Sequence, residues 1–129
     1  MISSNMSVKE IVQKYLFYLE KGEINKVIDL FTKDGIVESP LYGTQPARIF
    51  YKALAEDTNS SKLKFGGLFF EDNTNRVSLL FDYDWELKDG GRVVFKVVDI
   101  IEFNTNHKIK KLTIIYDTVH SRDALERLK

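Results

Sequence analysis

The side chain best placed for unusual chemistry is Asp99, in the stretch RVVFKVVDIIEFN from Arg92 to Asn104. Alternation with a period of two predicts a β-strand here and puts Asp99 on one of its faces. The other side chains on that face are large and apolar: Val93, Phe95, Val97, Ile101 and Phe103. Because burying an unpaired charge is very costly, such a carboxyl group takes up a proton or finds strong donors. Asp99 is therefore either a neutral hydrogen-bond donor at pH 7 or a structural residue that satisfies a nearby backbone amide or hydroxyl.

Tyr15 is a second candidate, since it lies on the apolar stripe of a predicted helix. Apolar residues recur at helical spacing from Ser7 to Lys21. Ser7 and Glu10 have the spacing of a capping box, and Gly22 supplies a left-handed stop. A buried tyrosine hydroxyl needs a polar partner. That partner is a carbonyl oxygen if Tyr15 is an ordinary core residue, and a ligand oxygen if it faces a cavity.

The remaining pattern predicts two further helices and a series of strands. The helices span Glu23–Phe31 and Pro46–Glu56, and the strands span Ile36–Ser39, Leu63–Glu71, Arg76–Lys88, Arg92–Asn104 and Lys108–His120. Polar composition predicts loops at Leu41–Gln45 and Asp57–Ser61, a bulge at Gly66-Gly67, a hairpin at Asp89-Gly90-Gly91, and a tail from Ser121 that frays or forms one weak turn. This order predicts one α+β domain over residues 1–129, with three N-terminal helices packed on a strongly curved, mostly antiparallel sheet.

Two surfaces of such a domain have predicted roles. The concave, mostly apolar space between the helices and the curled sheet is suited to a small apolar molecule. The strand from Arg92 also carries Val94, Val98 and Ile100 on its second face, which one chain has no helices left to cover. This predicts a homodimer through the sheet, and a single exposed apolar patch is the alternative.

Composition excludes several classes of function. The chain of 129 residues has a formal net charge of zero, which disfavours nucleic-acid binding. It has no cysteine, which excludes disulfides and thiolate chemistry. Its two histidines, widely separated, predict no metal site, and no cofactor is indicated. With no apolar run of the length that a secretory signal or a membrane span requires, a cytoplasmic location is expected.

Several short segments together have the order and spacing of a known group of proteins: Val12–Tyr15, Leu30–Phe31, Asp34–Pro40 with Gly43, Phe50–Tyr51 and Val98–Asn104. On these segments the chain resembles the nuclear-transport-factor-2-like (NTF2-like) superfamily and, within it, the ketosteroid isomerases and SnoaL-like proteins. The resemblance implies a cone-shaped fold. It also implies that Tyr15 and Asp99 donate hydrogen bonds to the oxygen of a dienolate intermediate, with Tyr51 supporting Tyr15.

The chain departs from the isomerases at Ser39. Those enzymes carry an aspartate base directly before the proline, and a serine hydroxyl is too weakly basic to move a carbon-bound proton. Glu38 is adjacent, but on a regular strand its side chain faces the other way. His120 is a substitute base if the last strand places it on the inner face, and a solvated residue otherwise. We therefore expect no appreciable steroid isomerase activity unless Ser39→Asp restores it.

The sequence thus predicts a pocket that binds a small hydrophobic molecule. Its catalytic residues are Tyr15, Asp99, Ser39 and Tyr51, and its walls are Phe31, Phe50, Phe81, Tyr83, Trp85, Ile101, Leu112, Tyr116 and His120. The predicted activity is that of an isomerase- or cyclase-type enzyme that polarises a carbonyl or phenol oxygen. The alternatives are a non-catalytic ligand-binding protein and a dimeric association module.

Overall fold

A computed structural model describes residues 7–129 of the chain. The helices are α1 (Val8–Lys21), α2 (Ile24–Ile28), α3 (Ala47–Asp57) and α4 (Val119–Glu126). The strands are β1 (Phe31–Ser39), β2 (Gly43–Pro46), β3 (Thr58–Phe70), β4 (Arg76–Leu87), β5 (Arg92–Phe103) and β6 (Ile109–Ile115).

The six strands form one mixed sheet in the order β2-β1-β6-β5-β4-β3. All neighbouring strands are antiparallel except β1 and β6, which are parallel. The β3–β4 register shifts between Phe65 and Gly67, where the Gly66-Gly67 pair predicts a bulge. The α+β class and the mostly antiparallel sheet are therefore confirmed.

Helix α1 is set by local signals in the sequence. The Glu10 backbone amide donates to Ser7 Oγ at 3.2 Å, and the Ser7 amide donates to Glu10 Oε1 at 3.0 Å, which completes the capping box. Gly22 ends the helix in the left-handed region at φ 73°. Tyr15 is buried on the apolar stripe of this helix.

The inner face of the sheet follows the predicted alternation. Every second residue of β4 from Val77 to Leu87 is buried, and β5 buries Asp99. Cross-strand pairing places Asp99 between Leu79 of β4 and Ile114 of β6. The Asp99 carboxyl group thus lies in the middle of the sheet, among apolar side chains.

The second predicted helix is too long at its C-terminal end. Helix α2 ends at Ile28, and Phe31 begins β1 instead of completing the helix. The reason is a partner distant in sequence: the Ile109 amide donates to the Leu30 carbonyl, and Phe31 pairs with Ile109. Parallel pairing with β6 therefore outweighs the local helical pattern.

Both predicted polar loops are partly wrong. Residues 43–46 form β2, and β3 begins at Thr58 rather than after Ser61. These two strands are the edges of the sheet, where polar side chains reach solvent and are tolerated. Pro46 precedes α3 as its N-cap instead of occupying its first turn.

The C-terminal region differs most from the sequence prediction. The last strand ends at Ile115, and α4 follows from Val119, so residues 7–129 contain four helices, not three. The helix is anchored because Ser121 and Ala124 are buried. The Asp117 carboxylate also accepts from the Val119 amide at its start. Helix α3 moreover follows β1 and β2, so the order is not simply helices first and strands afterwards.

None of the helices within residues 7–129 combines the length and the apolar character that crossing a membrane requires.

Candidate functional site

A cavity of about 40 Å³ lies between the inner face of the sheet and helices α1 and α3. Asp99 lines it from β5, Tyr15 from α1 and Tyr51 from α3. The volume is enough for roughly three water molecules. It is too small for a ligand with several rings unless part of the wall moves.

Asp99 is the least satisfied polar group of the cavity. Its side chain is 1% exposed, and its Oδ1 atom has no hydrogen-bond partner among residues 7–129. Burial among apolar side chains raises the pKa of the Asp99 carboxyl well above its usual value. Burial therefore favours the protonated carboxyl, whose proton can be donated to an acceptor inside the cavity.

Tyr15 and Tyr51 form a buried pair beside it. Their hydroxyl oxygens are 2.7 Å apart, and their rings meet edge to face at 76°. Burial raises the pKa of both phenols well above the usual value, so neither ionises near neutral pH. Either hydroxyl can be the donor of this hydrogen bond, and the Tyr15 proton is available to a third oxygen when Tyr51 donates. Asp99 and Tyr15 thus line the same cavity, whose other walls are mostly apolar.

Ser39 lines the cavity, but its oxygen is used to hold the chain. Ser39 Oγ accepts from the backbone amides of Leu41 at 3.2 Å and Tyr42 at 3.1 Å. These bonds fix the connection between β1 and β2 as an ST-turn, in which a serine hydroxyl bonds to the backbone of the following residues. Ser39 is therefore a positioning residue for this connection, and its hydroxyl is a weak base in any case.

Aromatic rings form the wall on the sheet side. The Tyr83 and Phe95 rings stack at 5.2 Å with 16° between their planes, and the Phe95 and Tyr116 rings stack at 4.4 Å with 23°. The polar tips are already bonded: the Tyr83 hydroxyl is 2.8 Å from Ser61 Oγ, and Trp85 Nε1 donates to Thr58. Burial raises the pKa of Tyr83 to about 12. Tyr83 and Trp85 consequently offer the cavity their ring faces rather than free polar groups.

The structure brings most of the predicted site residues to the cavity. Those that line it are Tyr15, Ser39, Phe50, Tyr51, Phe81, Tyr83, Trp85, Asp99 and Tyr116. Four predicted wall residues lie outside it, and His120 is one of them. Phe31 packs behind the Tyr51 ring at 5.6 Å, and Ile101 and Leu112 are a fully buried cross-strand pair elsewhere in the core.

His120 also lies outside the cavity. It is exposed on α4, beside Arg92 and Asp123, because the last strand ends before it. Glu38 faces away as expected, since Thr113 Oγ1 donates to its carboxylate at 3.1 Å and Lys111 Nζ lies 3.5 Å away. Asp99 is the only carboxyl group that lines the cavity within residues 7–129.

Sequence reasoning missed several lining residues. They are Leu19, Leu41, Tyr42, Leu54, Phe95, Val97 and Ile114. Phe95 and Val97 share the Asp99 face of β5, so the strand pattern contained the signal. Tyr42 lies in a segment that was predicted to be a loop. The signal for its role is an aromatic residue only three positions after Ser39, a predicted site residue.

No group of three or more histidine and carboxylate side chains within residues 7–129 is arranged to hold a metal ion.

No protein-family model matches this chain, and neither does any curated protein sequence. Solved structures do match. An NTF2-like protein of unknown function from Burkholderia pseudomallei has a TM-score of 0.79 at 14% identity, over 93% of this chain and 98% of its own. SalBIII, an epoxide hydrolase/cyclase-like enzyme in pyran ring formation of the polyether salinomycin, has a TM-score of 0.73 at 17% identity. The match covers 85% of this chain and 90% of SalBIII. A Catenulispora acidiphila protein with a ketosteroid isomerase-like fold has a TM-score of 0.73 at 13% identity, over 84% of this chain and 85% of its own. The chain therefore has the NTF2-like fold, as its sequence indicates.

Proposed function

We propose that this protein binds a small apolar molecule and polarises its carbonyl, ether or phenol oxygen with hydrogen bonds from Asp99 and Tyr15. The single observation that carries the proposal is the unpartnered oxygen of the buried Asp99 carboxyl in a cavity with apolar walls. A buried polar group without a hydrogen-bond partner lowers the stability of the folded protein. A group of this kind is therefore a candidate for a functional role. A ligand oxygen at this point would satisfy it.

The same geometry favours acid-assisted chemistry over proton abstraction. Within residues 7–129 the only carboxyl group that lines the cavity is Asp99, whose pKa burial raises, and the pKa values of Tyr15, Tyr51 and Tyr83 there are raised as well. A reaction in which the substrate supplies its own nucleophile, as in ring closure, needs a donor to the leaving or accepting oxygen but no strong protein base. The fold that this chain shares with SalBIII supports a cyclase- or isomerase-type reaction of this kind. Binding without chemistry is the second candidate.

A phenol titration tests the proposal. The only tryptophan, Trp85, lines the cavity, so its fluorescence reports an occupied site. Phenol should bind, and toluene, which lacks the oxygen, should bind more weakly. Tyr15→Phe should weaken phenol binding about tenfold, the effect of losing one hydrogen bond of roughly 1.4 kcal/mol. Asp99→Asn should weaken it by less, because the asparagine amide still donates, although more weakly than a carboxylic acid.

Tyr18→Phe is the matched control, because Tyr18 is a tyrosine of the same helix that does not line the cavity. Its affinity for phenol should equal that of the unmodified protein. Unchanged affinity in both Tyr15→Phe and Asp99→Asn would count against a role for the pair in binding.

A second assay tests the reasoning about the missing base. The unmodified protein should not isomerise an unconjugated steroid enone, and Ser39→Asp should introduce measurable turnover. Turnover by the unmodified protein would show that a base acts from elsewhere.

We also propose that two copies associate through the outer face of the sheet, the side opposite the helices. Cross-strand pairing places Leu80, Val98 and Ile115 in one row on this face, and Ile115 is 53% exposed. Val94 on the same side of β5 is 64% exposed. A contiguous apolar row on a sheet is suited to packing against its own copy.

Light scattering after gel filtration measures this association. The unmodified protein should have the mass of a dimer, and Val98→Asp that of a monomer. Val119→Asp, at a residue of α4 that is 56% exposed, is the control that should leave the dimer intact. A monomeric unmodified protein would rule the interface out.

A further inference from the structure

Tyr42 closes the cavity on the side of the β1–β2 connection. Its ring meets the Phe50 ring edge to face at 5.5 Å and 89°. Its hydroxyl donates to Asp57 Oδ2 at 2.7 Å, and Lys129 Nζ lies 3.6 Å from the other oxygen of that carboxylate. The Tyr42 ring is thus held between the cavity and the C-terminal end of α3.

The backbone that carries Tyr42 is braced from three other elements. Ser39 at the end of β1 accepts from the Tyr42 amide, and Gln45 Nε2 of β2 donates to the Tyr42 carbonyl at 3.1 Å. Arg122 of α4 donates to the Pro40 carbonyl at 2.9 Å. Because the backbone is fixed, the Tyr42 side chain is the part of this wall that can rotate without breaking a strand or helix.

The size of the cavity requires such a movement. At about 40 Å³ it is smaller than the apolar cavity of roughly 150 Å³ that holds benzene in an engineered protein. Tyr15, Tyr51 and Asp99 are almost fully buried on helices and the central sheet. Tyr42 is half-buried, and a single side-chain hydrogen bond, to Asp57, holds its hydroxyl. Rotating the Tyr42 ring therefore costs one side-chain hydrogen bond and leaves the helices and the sheet intact.

We infer that Tyr42 is the specificity-determining residue of this site: its ring limits the ligand to a single ring, and its bond to Asp57 controls access to Asp99 and Tyr15. The inference rests on the proposed function, since it concerns the same cavity. The ring and the hydroxyl have separate roles. The ring sets the size of the ligand at equilibrium, and the hydroxyl sets the rate of opening.

Two variants separate these roles. Tyr42→Ala removes the ring, so the affinity for 2-naphthol relative to phenol should rise at least tenfold, as measured by calorimetry. Tyr42→Phe keeps the ring but loses the bond to Asp57, so phenol should associate several-fold faster in stopped-flow Trp85 fluorescence while the relative affinity stays unchanged. Tyr42→Leu keeps an apolar contact to Phe50 and replaces the alanine variant if that variant is unstable. Tyr18→Ala, outside the cavity, should change neither quantity.

The outcomes distinguish this inference from the proposed function. If Asp99→Asn weakens phenol binding but Tyr42→Ala leaves the relative affinity unchanged, the inference is overturned and the proposed function stands. If Tyr42→Ala binds phenol and the unmodified protein does not, the closing role of Tyr42 is supported. If neither protein binds phenol or 2-naphthol, both proposals fall.

Discussion

Asp99 should make the stability of the protein depend on pH between about 5 and 7. In the folded state burial raises its pKa, whereas in the unfolded chain it titrates near the ordinary value of about 3.9. Above that value and below the folded pKa, the folded state therefore binds one more proton than the unfolded state. The linkage relation then requires the free energy of unfolding to fall as pH rises, by about 1.4 kcal/mol per pH unit.

The comparison with Asp99→Asn isolates this contribution, because an asparagine has no proton to lose. From pH 5 to pH 7 the unfolding free energy of the unmodified protein should fall relative to that of the variant, by at most about 2.7 kcal/mol, the limit for one proton over two pH units. The contributions of all other titrating groups to the unfolding free energy cancel in this difference. Glu71, for example, has a pKa lowered to about 2 by its hydrogen bonds from Arg76, but it is present in both proteins.

Urea unfolding at pH 5, 6 and 7, followed by circular dichroism, measures the three free energies. Asp72→Asn is the matched control, since Asp72 is an exposed carboxylate, and its curve should run parallel to that of the unmodified protein. If the Asp99→Asn curve also runs parallel, Asp99 is ionised in the folded protein and is not a hydrogen-bond donor at pH 7.

Two further substitutions test local parts of the structure. Ser7→Ala should lower the unfolding free energy by about 1 kcal/mol in urea unfolding, because the Glu10 amide loses its acceptor, and Ser7→Asp should retain most of the stability. Tyr51→Phe should lower the thermal midpoint through a loss of about 1–3 kcal/mol, because the buried Tyr15 hydroxyl loses its partner. An unchanged midpoint would mean that Tyr15 finds another partner.

Elements defined by neighbouring residues could be predicted from the sequence. Helix α1 needs only its own apolar stripe, capping box and terminal Gly22, and its bounds were correct. The β4–β5 hairpin needs only alternation and the Asp89-Gly90-Gly91 turn, in which Gly90 has φ 88°. In both cases the interactions that fix the element lie within a few residues of it or across one turn.

Elements fixed by distant partners were misjudged. Phe31 looks helical in its local pattern but pairs with Ile109. Thr58 begins an edge strand because it lies opposite Leu87, although its neighbours are polar. The β-branched residues around Thr118 look like strand, yet burial of Ser121 and Ala124 selects a helix.

The candidate site likewise combines features that local sequence determines with features that distant contacts determine. The inward direction of Tyr15 and Asp99 follows from helical and strand periodicity, and both are buried. Their common cavity, and the bonding of Ser39 to the backbone of Tyr42, depend on how α1, β5 and the β1–β2 connection meet in space. No spacing rule within one segment contains that information.

The parallel pairing of β1 with β6 also constrains the order of folding. Strands β3, β4 and β5 are neighbours both in the sequence and in the sheet, so they can assemble through hairpins with short loops. The β1–β6 contact closes a much longer loop and carries a larger entropic cost. We therefore expect the strand that bears Asp99 to pair with its neighbours before the cavity around it closes, so that its carboxyl leaves water only in the later step.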